Sequence, residues 1–136
     1  MYKNGILIAV VFAAGISAGV VGNGMVSAAS GPPVKVENLL RTELEVSGEL
    51  EVIMSLVEIG ANASLPRHHH PGEEFIYVLE GSSTLWQKGK ADTLLKAGDA
   101  YRIPLEQVHT AITGAESTRA IVFRVHRKGM PDRIAE

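Results

Sequence analysis

From Val34 onward, apolar side chains recur at every second position, the period of a strand with two distinct faces. Val34 and Val36, then Leu40, Leu44 and Val46, predict one or two early strands, with Ser47-Gly48 as a hairpin turn. In the next strand Leu50, Val52, Met54 and Leu56 share one face, and Ile53, Val57 and Ile59 share the other. A strand apolar on both faces belongs between two layers. Residues 60–64 read as a loop. Beyond it Phe75, Tyr77 and Leu79 alternate with Glu74, Ile76 and Val78, and the second set is expected to point inward. Gly81-Ser82 predicts a turn into residues 84–87, Lys88-Gly89-Lys90 a polar tip, and Gly98-Asp99 a further turn. Short strands follow over residues 100–103, ending at Pro104, over 108–112, and over 119–126, where Ile121, Phe123 and Val125 share a side. The basic tail, residues 127–131, is expected to be loose. No window carries a helical period. Many short strands between Gly, Pro, Ser and Asp turns predict an all-β fold, a small antiparallel β-barrel or double-sheet jelly roll. The interior of such a barrel has room for one small ligand.

The first thirty residues follow a different pattern. One positive charge, Lys3, precedes a run from Ile6 to Val21 that is wholly apolar or small. Val26-Ser27-Ala28 and Ser27-Ala28-Ala29 both place small residues where a cleavage site needs them. Residues 1–29 therefore read as a signal peptide, and residues 30–136 as one exported domain, periplasmic or secreted. The competing expectation is an uncleaved membrane anchor, since roughly 20 apolar residues suffice to cross a bilayer. Ser30-Gly31-Pro32-Pro33 is a linker that cannot readily start a helix.

Charge and cysteine narrow the function. The net charge is −2 with acids and bases interspersed, and losing Lys3 with the leader makes it −3. Neither value favours nucleic acid or an anionic membrane surface as a partner. The chain has no cysteine, so a metal would be held by nitrogen and oxygen alone.

Those donors concentrate in one stretch. His68, His69 and His70 precede Pro71-Gly72, and Glu73 and Glu74 follow. On an extended chain His68 and His70 leave the same face. His109, in its own short strand after Pro104, can return to the same cavity. His68, His70, Glu74 and His109 together offer three nitrogens and one oxygen, a set that suits Fe, Mn, Ni, Cu or Zn as divalent ions. On an octahedral ion four protein ligands leave two positions open. On a tetrahedral ion they leave none, which would make the site structural.

At these residues the chain resembles the cupin superfamily of small β-barrels, also described as double-stranded β-helices. The first family motif is matched by His68-x-His70, Glu74 and Gly81, although Gly60 lies two residues farther upstream than usual. The second is matched by Gly98, Pro104 and His109, with Glu106 in place of a glycine and Thr113 in place of an asparagine. The resemblance covers roughly residues 50–126 and retains all four ligand positions. It selects Glu74 over Glu73 and leaves His69 outside, as alternation does. It implies a homodimer and, most often, an oxygenase-like metal enzyme acting on a small molecule, in which Glu74 could also exchange a proton. Two other functions stay open: non-redox metal chemistry (decarboxylase, isomerase or lyase) and a non-catalytic binding or sensory module. Gln107 is the best candidate to support a ligand, being two residues before His109 on the same face. Tyr77 and Arg102 are candidate substrate contacts, Arg102 as a carboxylate clamp, although a core or interface role is the simpler one for Tyr77 and Tyr101. Trp86 is expected to pack beneath a hairpin, and His126 to lie on the surface.

Overall fold

The computed structural model describes residues 33–136, so the predicted leader lies outside the described residues. Nine strands form: β1 (Val34–Leu44), β2 (Ser47–Ile59), β3 (His68–His69), β4 (Gly72–Gln87), β5 (Thr93–Lys96), β6 (Ala100–Ile103), β7 (His109–Ile112), β8 (Thr118–Arg127) and β9 (Ile134–Ala135). They pair into a curled sheet in the order β1-β2-β8-β4-β7-β3-β9, with β5 and β6 also on β4. Every pairing is antiparallel, as the alternation and short turns require. The first hairpin turns at Glu45-Val46, before the predicted Ser47-Gly48. An irregularity in register at Leu44 shortens the connection and leaves Val46 at the solvent-exposed tip.

Strand β4 joins the two leaves of the sheet. Its first half pairs with β8 and β6, its second with β5 and β7. Gly81-Ser82 does not end it. The strand continues through a bulge, with a register shift between Val78 and Glu80 and φ of 71° at Gly81. A Cβ on Gly81 would lie 1.8 Å from the Ser117 carbonyl oxygen, so only glycine fits. The bulge also reverses which positions face inward. Glu74 and Val78 are buried before it, Ser83, Leu85 and Gln87 after it.

The core forms where the leaves face each other. Val78, Leu85, Leu95 and Ile103 cluster there, with Ile76 and Tyr101 packed against them. Each such aliphatic side chain contributes about 1.5–3 kcal/mol by leaving water. The opposite face of the β1-β2-β8-β4 leaf is apolar too. Leu40, Met54, Phe123 and Phe75 are successive partners across the four strands. The Phe75 and Phe123 rings meet edge to face at 6.3 Å. Phe75, Tyr77 and Leu79 remain exposed there.

Two expectations about the end of the chain are corrected. His126 is not on the surface but 2% exposed. It continues the inward row Ala120, Val122, Arg124 and packs on Gly72, where a Cβ would meet its own at 2.5 Å. Nor is the tail loose. The Lys128 amide donates to the Glu49 carbonyl, β9 pairs with β3, and the Glu136 amide donates to the Arg67 carbonyl.

Candidate metal centre

Three strand ends bring the histidines together. His68 in β3 is the direct partner of His109 in β7, and His70 follows His68 on the same face. The ring centroids lie 4.9 Å apart for His68 and His70, 4.5 Å for His68 and His109, and 5.3 Å for His70 and His109. One ring nitrogen from each falls within 4.8 Å of the other two. Glu74 reaches the same point from β4, with Oε2 at 2.7 Å from His70 Nε2 and Oε1 at 3.6 Å from His109 Nε2. All four side chains are buried.

Backbone carbonyls set the state of each ring. His68 Nδ1–H donates to the Pro66 oxygen at 2.7 Å, His70 Nδ1–H to the Asp132 oxygen at 2.5 Å, and His109 Nδ1–H to the Gln107 oxygen at 2.8 Å. A carbonyl only accepts, so each Nδ1 carries a proton, and Nε2 is the nitrogen left to face the cavity. His70 Nε2 is buried and makes no well-aligned hydrogen bond. It faces a Glu74 carboxylate oxygen at 2.7 Å, a separation that needs a positive charge, a proton or a metal ion, to be shared by the two. The three ring nitrogens and the carboxylate form a donor set that fits a first-row divalent ion.

Electrostatics agree. The His68 pKa is lowered to about 4, chiefly because burial disfavours the imidazolium; the bond to Pro66 works against this, and His109 and His70 add to it. Burial alone would raise the Glu74 carboxyl, but the adjoining His109 and His70 rings outweigh it and hold the group below the usual carboxylate range. At neutral pH the pocket therefore offers a neutral His68 and an ionised Glu74. An unfolded chain protonates the His68 ring near 6.5, the folded chain only near 4. This contribution to stability is complete above 6.5 and fades as pH falls towards 4. We expect the urea midpoint of the metal-free protein to drop between pH about 7 and about 4.5. A flat profile across that window would contradict the assignment.

The other sequence candidates sit elsewhere. Tyr77 is 49% exposed on the outer face. Arg102 also points outward, where its Nε donates to Glu73 at 2.7 Å, so it clamps nothing in the cavity. Gln107 does support His109, but through its backbone oxygen; its amide nitrogen donates to the Lys88 and Val108 carbonyls. Tyr101 packs on the core and accepts a hydrogen bond from Gln87 at 2.9 Å. Trp86 lies under the Arg67 guanidinium, 4.1 Å from ring centroid to Cζ. His69 is outside the cluster, as expected.

Beyond the histidines a cavity of about 250 Å³ opens between the leaves, walled by Leu65, Ile76, Val78, Leu85, Ala120 and Val122. Sequence reasoning missed two of its residues. Arg124 was legible in principle, since alternation sets it with Ala120 and Val122. Asp132 had no local signal, because it comes from the tail.

Comparison with known proteins settles the family. The cupin-domain family model matches residues 55–124. The chain is a cupin. A curated relative, 3-hydroxyanthranilate 3,4-dioxygenase of Mycosarcoma maydis, is 31% identical over 77 residues. The match covers 54% of this cupin and 42% of that enzyme, so the chain spans less than half the length of the relative. Among solved structures, the DMSP lyase DddQ of Ruegeria pomeroyi superposes with a TM-score of 0.62 at 21% identity, over 76% of this chain and 51% of the lyase. A cupin-like protein of Thermotoga maritima gives 0.60 at 22% identity, over 76% of this chain and 75% of that one. These likenesses establish the double-stranded β-helix fold, with a buried three-histidine cluster of the kind that binds metal.

Proposed function

We propose that this cupin is an exported, metal-dependent enzyme that acts on a small molecule by a dioxygenase-like reaction. The carrying observation is the convergence of three histidine ring nitrogens and one buried carboxylate at the wall of an apolar cavity. His68, His70, Glu74 and His109 would hold Fe, Mn, Ni, Cu or Zn. Bound there, the ion supplies Lewis acidity and, if redox-active, the means to activate dioxygen. The carbonyls of Pro66, Asp132 and Gln107 keep the rings aimed, each through its Nδ1–H. The apolar wall limits water, and Glu74 would exchange a proton with a substrate only on loosening from the ion. The dioxygenase relative supports the oxidative form of this reading.

Two further parts of the reading concern context. Export rests on the leader pattern of residues 1–29. A homodimer rests on the outer face: an exposed apolar sheet surface carrying Phe75, Tyr77 and Leu79 suits an isologous contact with a second copy.

One preparation tests all of it. Metal analysis of protein expressed in full and recovered from the periplasm should find stoichiometric transition metal, with oxygen uptake on a panel of phenols, diols and thiols. Its intact mass should show cleavage near Ala28 or Ala29, and light scattering should show twice the chain mass. Bound metal without oxygen uptake would sink the dioxygenase-like form and move the function to non-redox chemistry on the same ligands. Ligand binding with no metal and no product would leave a binding module, and a monomeric mass would reject the dimer.

A further inference from the structure

We propose that Arg124 anchors a carboxylate on the small molecule that enters the cavity, which makes the substrate class a small organic acid with an apolar body. The inference deepens the proposed function and depends on it only for the second point of attachment, at the metal.

Arg124 lies in the middle of β8, with Ile53 of β2 and Glu74 of β4 as its direct partners, and it lines the cavity. It is 6% exposed. A guanidinium stays charged and has five N–H donors. Two of its hydrogen bonds are found, and both go to neutral acceptors. Nη1 donates to the Asp132 carbonyl at 3.2 Å and Nη2 to Ser55 Oγ at 2.8 Å. Nε is buried and has no partner among the described residues.

The nearby carboxylates are committed elsewhere. The Glu74 oxygens face His70 and His109, and the Asp132 carboxylate pairs with Arg41. A buried cation whose own hydrogen bonds go only to neutral acceptors, while the nearby Glu74 and Asp132 carboxylates are engaged by other side chains, is best relieved by a group that brings both negative charge and acceptor oxygens. A bound divalent ion sharpens the need, because it takes up the charge of Glu74 and leaves that side of the cavity positive. A carboxylate offers two oxygens to the free N–H groups, and a neutral amide of the same shape offers one. Since Arg124 and Glu74 are direct cross-strand partners, their Cβ atoms are about 5 Å apart. The acid group is therefore only a few bonds from the end held at the histidines. The rest of the wall, with Leu65, Ile76 and Val122, accepts the apolar body.

The test is titration calorimetry with benzoate and its neutral isostere benzamide, on the parent, Arg124→Gln and Arg124→Lys, each metal-free and zinc-loaded, with metal content measured in every sample. The parent should bind benzoate at least about tenfold tighter than benzamide, the scale of a hydrogen bond to a charged group. Arg124→Gln should erase that preference without lowering zinc content, and Arg124→Lys should weaken benzoate several-fold with benzamide unchanged. If Arg124→Gln does not fold, the lysine variant decides. No preference in the parent, or a preference that survives in both variants, overturns the proposal, because the acid then sits on the metal or nowhere. A preference that depends on Arg124 in protein that takes up no zinc keeps the anion site and overturns the metal centre instead.

Discussion

His70→Ala should abolish metal binding by this cupin. The substitution removes one of four donors, and with it the ring nitrogen that faces Glu74 at 2.7 Å. Loss of a group that merely supports a ligand costs about 10–100-fold in metal affinity, so loss of the ligand itself should exceed about 100-fold. The consequence also shows in stability. A metal present at about 1,000 times its dissociation constant stabilises the folded parent by about 4 kcal/mol, and the variant should gain almost none of this. His69→Ala is the control, since that ring lies outside the cluster and its loss should leave metal content intact. Thermal melts with and without added metal, beside elemental analysis, read both effects. Full metal occupancy in His70→Ala would dismiss the centre.

Deleting residues 129–136 should weaken metal binding about 10–100-fold although no ligand is removed. The deleted segment supplies the Asp132 carbonyl that accepts from His70 Nδ1 and from Arg124, and it pairs as β9 along β3. Without that carbonyl the His70 ring is free to rotate or to move its proton to Nε2, the nitrogen the metal needs. Asp132→Ala separates backbone from side chain. It keeps the carbonyl and loses the side-chain contacts with Arg41 and Asn38, none of them to a ligand, so its metal affinity should stay within about threefold of the parent. Competition against a chelating dye measures all three proteins. Equal affinity in the truncated chain would show that the tail does not orient His70.

Much of this was legible before any coordinates. His68 and His70 share a face because a strand alternates, and the same rule carried Glu74 inward with Ile76 and Val78. His109 was selected by the resemblance to the second cupin motif, through Gly98 and Pro104. The errors also have physical causes. Gly81 carried a true signal of unusual backbone, but a positive φ serves a bulge as well as a turn, and here it re-aims a strand instead of ending it. His126 read as a lone polar residue near the terminus, although alternation sets it on the buried row of β8. Arg102 could have faced either way, and its register opposite Phe75 of β4 sets it on the outer face, where it meets Glu73.

By itself the sequence determined which side chains leave a strand together, which residues have the chemistry to hold a cation, and that strands, not helices, carry them. These depend on backbone period and side-chain type, both local. The tertiary structure alone decided which of two apolar faces becomes the interior, that a carbonyl from the tail steers His70, and that Arg124 is enclosed with only neutral hydrogen-bond acceptors. Each of these arises where segments far apart in the chain close on one another, and backbone carbonyls that do the steering have no residue identity to read.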